Sequence, residues 1–294
     1  MLDAVRVGLN FVIICTIRLL FAGVYRKSIS TFLPSSVLSR IVSPKGLPDE
    51  RLRKLHENIF YSVWHSVSFV LVLVHLSREA WVFEMIESRD PRHCATGWPH
   101  FIDYETSWIY FLQLAFWLSC LAFMAVETVR KDFREMLVHH CSTITLVSLS
   151  YRYSYFRIGF VVMLLHDVGD IFLYSAKVCN YLKKPIITNV LFITFVFTFF
   201  ISRLVLFPQV IRAAWGPVTG YLPVGTALPG CYILPLMLTV LLILHCMWFV
   251  LILRMLYRMM FVEKDVKSDI RSDDEVEEVS NTKSVPIPTQ TTGA

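Results

Sequence analysis

Residues 157–177 read RIGFVVMLLHDVGDIFLYSAK. The segment has the length and apolar character of a helix that crosses a bilayer, which takes about 20 mainly apolar residues. Yet it carries Asp167 and Asp170 near its middle. A charged Asp at the bilayer centre costs roughly 2.5–3.5 kcal/mol on insertion scales, so two of them cannot face lipid uncompensated. Positions three and four apart share a helix face, which gathers His166, Asp167, Asp170, Tyr174 and Lys177 into one stripe. The stripe has to face protein or water, and the segment therefore predicts a bundle of helices around a polar interior.

The rest of the chain supplies the helices. The sequence has 294 residues, is 55% hydrophobic and has a mean hydropathy of +0.56, too apolar for an ordinary soluble domain. Apolar runs near 8–24, 59–77, 107–126, 136–150, 158–176, 188–207 and 231–257 predict an all-α polytopic membrane protein with about seven transmembrane helices. The run at 136–150 is short for a span, which suggests a tilted or enclosed segment. Arg18 interrupts the first run and FAGVYRKS after it is a poor cleavage site, so that run reads as a retained span.

Lys and Arg accumulate on the cytoplasmic side of short connections. Segments 25–58, 127–135, 177–187 and the tail from 258 hold 18 of them, against six in 78–106, 151–157 and 208–230, which places the C-terminal tail in the cytoplasm. The net charge of +5 then reflects membrane topology, and no basic stripe on a soluble domain points to nucleic acid.

Four parts follow: an N-terminal span (1–24), a cytoplasmic connection (25–58), a membrane bundle (59–261) and a polar tail (262–294) that cannot bury enough apolar surface to fold. In the connection, Asp49 is placed to cap a short basic amphipathic helix. Trp81, Trp98 and Trp108 suit the interfacial belt around a loop at 88–104. Four prolines and four glycines in 208–230 predict a non-helical connection, a plausible lid. In the tail, Ser272 precedes Asp273, Asp274 and Glu275, a context for an acid-directed kinase. The seven cysteines are scattered without a C-x-x-C pair; Cys94 and Cys231 lie beside non-cytoplasmic connections.

The second polar cluster is HHCST at 139–143. His139 and His140 diverge by about 100° on a helix and share Thr143 on their common face. A short connection favours adjacent helices, which would let the pair face His166, Asp167 and Asp170. A carboxylate that fixes one imidazole tautomer makes the other nitrogen a better base or nucleophile, able to attack a thioester or deprotonate an ammonium. The competing reading is a polar network that only pins helices together. A metal is not expected, because di-iron membrane oxygenases gather about eight clustered histidines, whereas His56, His65, His75, His93, His100 and His245 stand alone in sequence.

Residues 130–151, RKDFREMLVHHCSTITLVSLSY, followed by 157–181, RIGFVVMLLHDVGDIFLYSAKVCNY, resemble the Lag1 motif of ceramide synthases within the TRAM-Lag-CLN8 (TLC) domain. The match joins RKDF, HH, R-x-G, HD-x-x-D and A-K-x-x-N-Y, and weaker similarity runs from about 53 to 260. The resemblance implies six TLC helices around an intramembrane cavity, with one extra N-terminal span. It also implies an endoplasmic reticulum N-acyltransferase that joins a fatty acyl group from acyl-CoA to the amine of a sphingoid base, with no cofactor beyond the acyl-CoA co-substrate.

Carried over by position, His139, His140, His166, Asp167 and Asp170 are the catalytic candidates. Thr143 and Lys177 line the same faces, and Arg130, Lys131 and Arg134 stand where they could attract CoA phosphates. Residues 25–58 are too short for the homeobox-like domain of many relatives, and Tyr174 stands where relatives usually carry Glu. In the family the connection before the last span influences acyl-chain length. Dimerisation, homo- or heteromeric, also seen there, leaves no signature in this sequence. A non-catalytic lipid-sensing or translocation-associated TLC protein is the alternative.

Overall fold

The computed structural model describes residues 2–32, 49–94, 100–124, 133–216 and 230–263. Among them every regular element is helical: α1 (Leu2–Phe32), α2 (Asp49–Leu76), α3 (Ala80–Ser88), a 3₁₀ turn (Pro91–Cys94), α4 (Tyr104–Met124), α5 (Phe133–Arg152), α6 (Phe156–Tyr181), α7 (Pro185–Phe199), a π-helical segment (Phe200–Leu206), α8 (Phe207–Gly216) and α9 (Gly230–Arg258). Each apolar run of the sequence coincides with a long helix. Four stretches, Arg53–Leu76, Tyr104–Met124, Pro185–Trp215 and Tyr232–Phe261, are long and apolar enough to cross a membrane. The all-α membrane class is thus as the sequence implies.

These helices are turned inside out relative to a soluble bundle. On α2, Val63, Val67, Val70 and Val74 are exposed at helical spacing, while His65, Ser68 and His75 on other faces are buried. Ile186, Val190, Ile193 and Phe197 repeat the apolar stripe on α7. Bilayer hydrocarbon satisfies such faces, so the polar groups are driven inward to find partners. Arg18 of α1 follows the same rule: it is buried, it donates to the Tyr61 hydroxyl, and its guanidinium lies 4.4 Å from the Phe123 ring centroid and 5.1 Å from that of Phe60.

α6 is the central element, packing most extensively on α2 and next on α7; α5 bridges α4 and α9, and α1 leans on α4. The short run at 136–150 is a full 20-residue helix, its extra length coming from flanking polar residues such as Arg134 and Arg152. Two expectations change at the edges. The basic helix expected after Asp49 is continuous with the second span, because nothing between Asp49 and Leu76 breaks a helix. The connection expected to be non-helical from 208 begins as α8. Pro208 is tolerated there because the wide π turn before it relieves the ring's clash with the preceding carbonyl. The remainder of that connection (217–229), the tail from 264 with Ser272, most of the first connection (33–48), Trp98, Arg130 and Lys131 lie outside the described residues.

Trp81 does not join an interfacial belt. It is buried, donates its indole N–H to Glu79 (2.9 Å) and carries the Arg157 guanidinium 5.3 Å above its ring. Cys94 is buried beside it in the same apolar cluster, and burial pushes its thiol up to about 12. Burial disfavours the thiolate, so Cys94 stays protonated across the physiological range. Maleimide at pH 8 is expected to leave it unmodified in folded protein and to label it after denaturation in SDS; labelling without denaturation, read by peptide mass spectrometry, would contradict this packing.

Candidate active site

The two aspartates of α6 are each held by a partner that sequence spacing did not indicate. Asp167, 5% exposed, lies with Oδ1 2.7 Å from His65 Nδ1 and accepts through Oδ2 from the Ser68 hydroxyl at 2.5 Å. Gln113 of α4 donates in turn to Ser68 Oγ. The carboxylate accepts from Nδ1–H of His65, which leaves the His65 Nε2 side as the acceptor. The network joins α2, α4 and α6, and it explains how α6 carries a carboxylate through the bundle.

Asp170 pairs with Arg203, whose Nη2 donates to its Oδ1 (2.8 Å) and to the carbonyl of His166 (2.9 Å). Arg203 sits in the π-helical segment and is buried against Gly169, where a Cβ would stand at ordinary contact distance, 3.8 Å from Arg203 Nε. That Nε–H has no hydrogen-bond partner among the described residues and borders the chamber.

His166 donates Nδ1–H to the carbonyl of Val162 (2.7 Å), which leaves its Nε2 as an acceptor 3.2 Å from His245 Nε2. His245 is fully buried on α9. His65 and His245, isolated in sequence, are therefore partners of the motif in space. No local signal marks them, because α2 and α9 are far from 166–170 along the chain. Among the described residues no group of three His, Cys, Asp or Glu is arranged to hold a metal ion.

The paired histidines differ from these groups. Both are buried, with ring centroids 5.8 Å apart, and Trp117 of α4 lies 5.7 Å from each. Trp248 of α9 presents itself edge-to-face to His139 at 5.3 Å. The buried Nδ1 of the His139 imidazole has no hydrogen-bond partner among the described residues. A buried donor or acceptor left unpaired costs about 1–3 kcal/mol, which a helix-pinning role would not leave standing. Thr143 shares the histidine face as expected, but its hydroxyl donates to the His139 carbonyl (2.9 Å) rather than to an imidazole.

Two cavities meet at His139. One cleft, about 1040 Å³ with the open space at its mouth, sets the polar side chains His65, His140, Asp170, Lys177 and Arg203 among aromatic walls and is the more polar of the two. The other, about 780 Å³ counted with the open space at its mouth, is largely apolar and runs past Thr143, Leu146 and Val162 toward Ser150. His166, Asp167 and Asp170 also border the second cavity, so the expected constellation does converge on one space, although the carboxylates bond to His65 and Arg203 and not to the histidine pair. Lys177 borders the polar cleft over the Tyr174 ring at 5.9 Å, and Arg134 is exposed on the first turn of α5. Tyr174 stacks on His65 with centroids 5.5 Å apart, so the position is filled by an aromatic wall.

The TLC domain, defined by TRAM, LAG1 and CLN8 proteins, matches residues 54–254 of this sequence. This chain belongs to the TLC-domain family. Among curated relatives it is 36% identical to ceramide synthase 4 of Mus musculus over 244 residues, 80% of this chain and 57% of that protein. It is 33% identical to ceramide synthase LOH2 of Arabidopsis thaliana over 233 residues, covering 76% and 77% of the two chains. It is 31% identical to ASC1-like protein 3 of Oryza sativa subsp. japonica over 259 residues, 86% and 88% of the two. The chain thus spans little more than half the length of the mammalian ceramide synthase 4 proteins it matches. The TLC match takes in every helix that contributes a side chain to the two cavities.

The Asp170–Arg203 pair generates a measurable expectation. Removing one partner leaves the other charge buried and unpaired, whereas removing both does not. Asp170→Leu or Arg203→Met alone is expected to lower the unfolding free energy in detergent by about 3 kcal/mol, and the double variant to recover most of that loss. Additive losses in the thermal-unfolding cycle would show that the pair is not coupled.

Proposed function

We propose that this protein is a ceramide synthase, an N-acyltransferase that moves a fatty acyl group from acyl-CoA to the amine of a sphingoid base in the endoplasmic reticulum membrane. The observation that carries the reading is His139: an imidazole of the family's HH motif, its buried Nδ1 without a hydrogen-bond partner among the described residues, on the wall between a polar cleft and an apolar cavity. Acyl-CoA has the same two-part character. Its CoA phosphates suit the cleft bordered by Lys177, with Arg134 exposed on the first turn of α5 and Arg130 and Lys131 just before it in sequence, and its hydrocarbon chain suits the apolar cavity. The thioester then lies at His139.

One imidazole nitrogen attacks the thioester carbonyl, the C–S bond breaks and the thiolate of CoA leaves, taking up a proton from the site. The neutral amine of the sphingoid base then attacks the acyl-imidazole, the C–N bond to the ring breaks, and the ammonium proton passes to a neighbouring base. His140, with its ring centroid 5.8 Å from that of His139, is placed to take that proton, and His166 borders the same apolar cavity with its Nε2 3.2 Å from His245 Nε2. Asp170 with Arg203 supplies fixed charge at the same wall, and Asp167 holds α6 in register through His65. The cytoplasmic tail and a cytoplasmic cleft mouth follow from the positive-inside distribution of Lys and Arg. A non-catalytic lipid-sensing role gives no reason to keep an unpaired imidazole nitrogen at the junction of two cavities.

Protein purified in detergent and given acyl-CoA with a sphingoid base is expected to yield ceramide by mass spectrometry. Folded protein that makes none with any acyl length would refute the activity. His139→Ala and His140→Ala are each expected to cut turnover by at least about 10²-fold while the melting temperature changes little. Acyl-CoA alone is expected to leave a hydroxylamine-labile acyl adduct on the wild type that is absent from the nucleophile variant, which assigns the covalent step to one histidine.

A further inference from the structure

We infer that a hydrogen-bonded plug formed by Tyr110, Ser150 and Gly159 is the floor of the apolar cavity and sets the longest acyl chain the protein accepts; this rests on the acyl-transfer reading above. The cavity follows α5 from His139 past Thr143 and Leu146 to Ser150, and eleven residues of helix cover about 16 Å. At the Ser150 end the lining consists of side chains with almost no exposure: Ser150 7%, Tyr155 3%, Ile158 5%, Ala214 2% and Leu234 4%. Ser150 is the last residue of α5 and Ile158 the first of α6 in the cavity wall, so the cavity ends at the α5–α6 turn.

The floor is built by the glycine of the R-x-G element, which the chemistry at the histidines leaves unexplained. A Cβ on Gly159 would fall 1.8 Å from the Tyr110 hydroxyl oxygen, so that hydroxyl takes the space a side chain would need. Tyr110, 1% exposed, donates to the carbonyl of Phe156 at 3.1 Å and accepts from the Ser150 hydroxyl at 3.1 Å. Both ends of the phenol are thereby fixed, by α6 and by α5, and its ring stands behind Ser150 and Gly159. On its other side Tyr110 borders an apolar groove between α1, α4 and α5, and Val147 lines both that groove and the inner cavity, so Tyr110 and Val147 stand between the two spaces. A chain terminus that reaches Ser150 meets a wall that cannot rotate away without breaking two buried hydrogen bonds.

The inference locates the length limit at the α5–α6 turn and in α4, apart from the connection before α9. One methylene too many in a closed apolar pocket changes kcat/KM by about tenfold or more, so the limit is sharp enough to read. Wild type, Leu146→Phe, Ser150→Leu and Tyr110→Leu are compared with one sphingoid base and an equimolar series of saturated acyl-CoAs in two-carbon steps, with ceramides quantified by mass spectrometry. Ser150→Leu is expected to lower the preference for the longest accepted chain over shorter ones by about tenfold. Leu146→Phe, one turn nearer His139, is expected to shift the limit further toward short chains, and Tyr110→Leu to admit longer ones.

Turnover of short acyl-CoAs serves as the folding control, and the Leu146 and Tyr110 variants carry the test if Ser150→Leu does not fold. Active variants with an unchanged acyl distribution would overturn the inference and leave the acyltransferase reading intact, as would a shift in sphingoid-base length preference instead. Wild-type protein that makes no ceramide from any chain would overturn both.

Discussion

The structure depends on a single constraint: two carboxylates inside an apolar bundle must be paired before α6 can occupy it. Asp167 meets that constraint through His65 and Ser68, with Gln113 behind them, which fastens α6 to α2 and α4. Asp170 meets it through Arg203, which fastens the same helix to the π-helical segment following α7. The cost of an unpaired charge in hydrocarbon, roughly 2.5–3.5 kcal/mol, sets the scale of what these contacts offset. α6 consequently makes its largest interfaces with α2 and α7, the helices that supply the partners or lead into them.

Because the acids are bound elsewhere, the histidine pair is left facing open space. His139 is enclosed by Trp117 and Trp248, which shape the ring's surroundings without offering it a hydrogen bond. The polar cleft and the apolar cavity then share His139 as a common wall residue. The acids shape the chamber and its field, and the imidazoles are presented to whatever enters it. A second imidazole pair joins His166, tied to the Val162 carbonyl, to His245, and His166 borders the same apolar cavity as His139.

Several elements were legible because their signal is local. The apolar runs specify long helices, and the cost of Asp in lipid specifies an enclosed stripe at 166–177. Thr143 on the histidine face follows from helical spacing. What was misread involved partners distant in sequence or a helix whose start is masked by turn-forming residues. Trp81 looked interfacial until Arg157 and Glu79 were brought around it. Residues from 208 looked non-helical because the prolines and glycines of 208–230 dominate the composition, whereas a π turn carries the chain into α8.

The sequence by itself determined the all-α membrane class and the inward direction of the Asp stripe, since each follows from residue spacing and from the cost of burying charge in hydrocarbon, and its resemblance to the Lag1 motif marked the HH pair. Only the tertiary structure decided which groups pair: His65 with Asp167, Arg203 with Asp170, His245 with His166, and the Nδ1 of His139 with no hydrogen-bonding partner among the described residues. The physical reason is that a hydrogen bond is fixed by distances of about 3 Å between helices, and helix periodicity states which face a side chain occupies but not which helix that face meets.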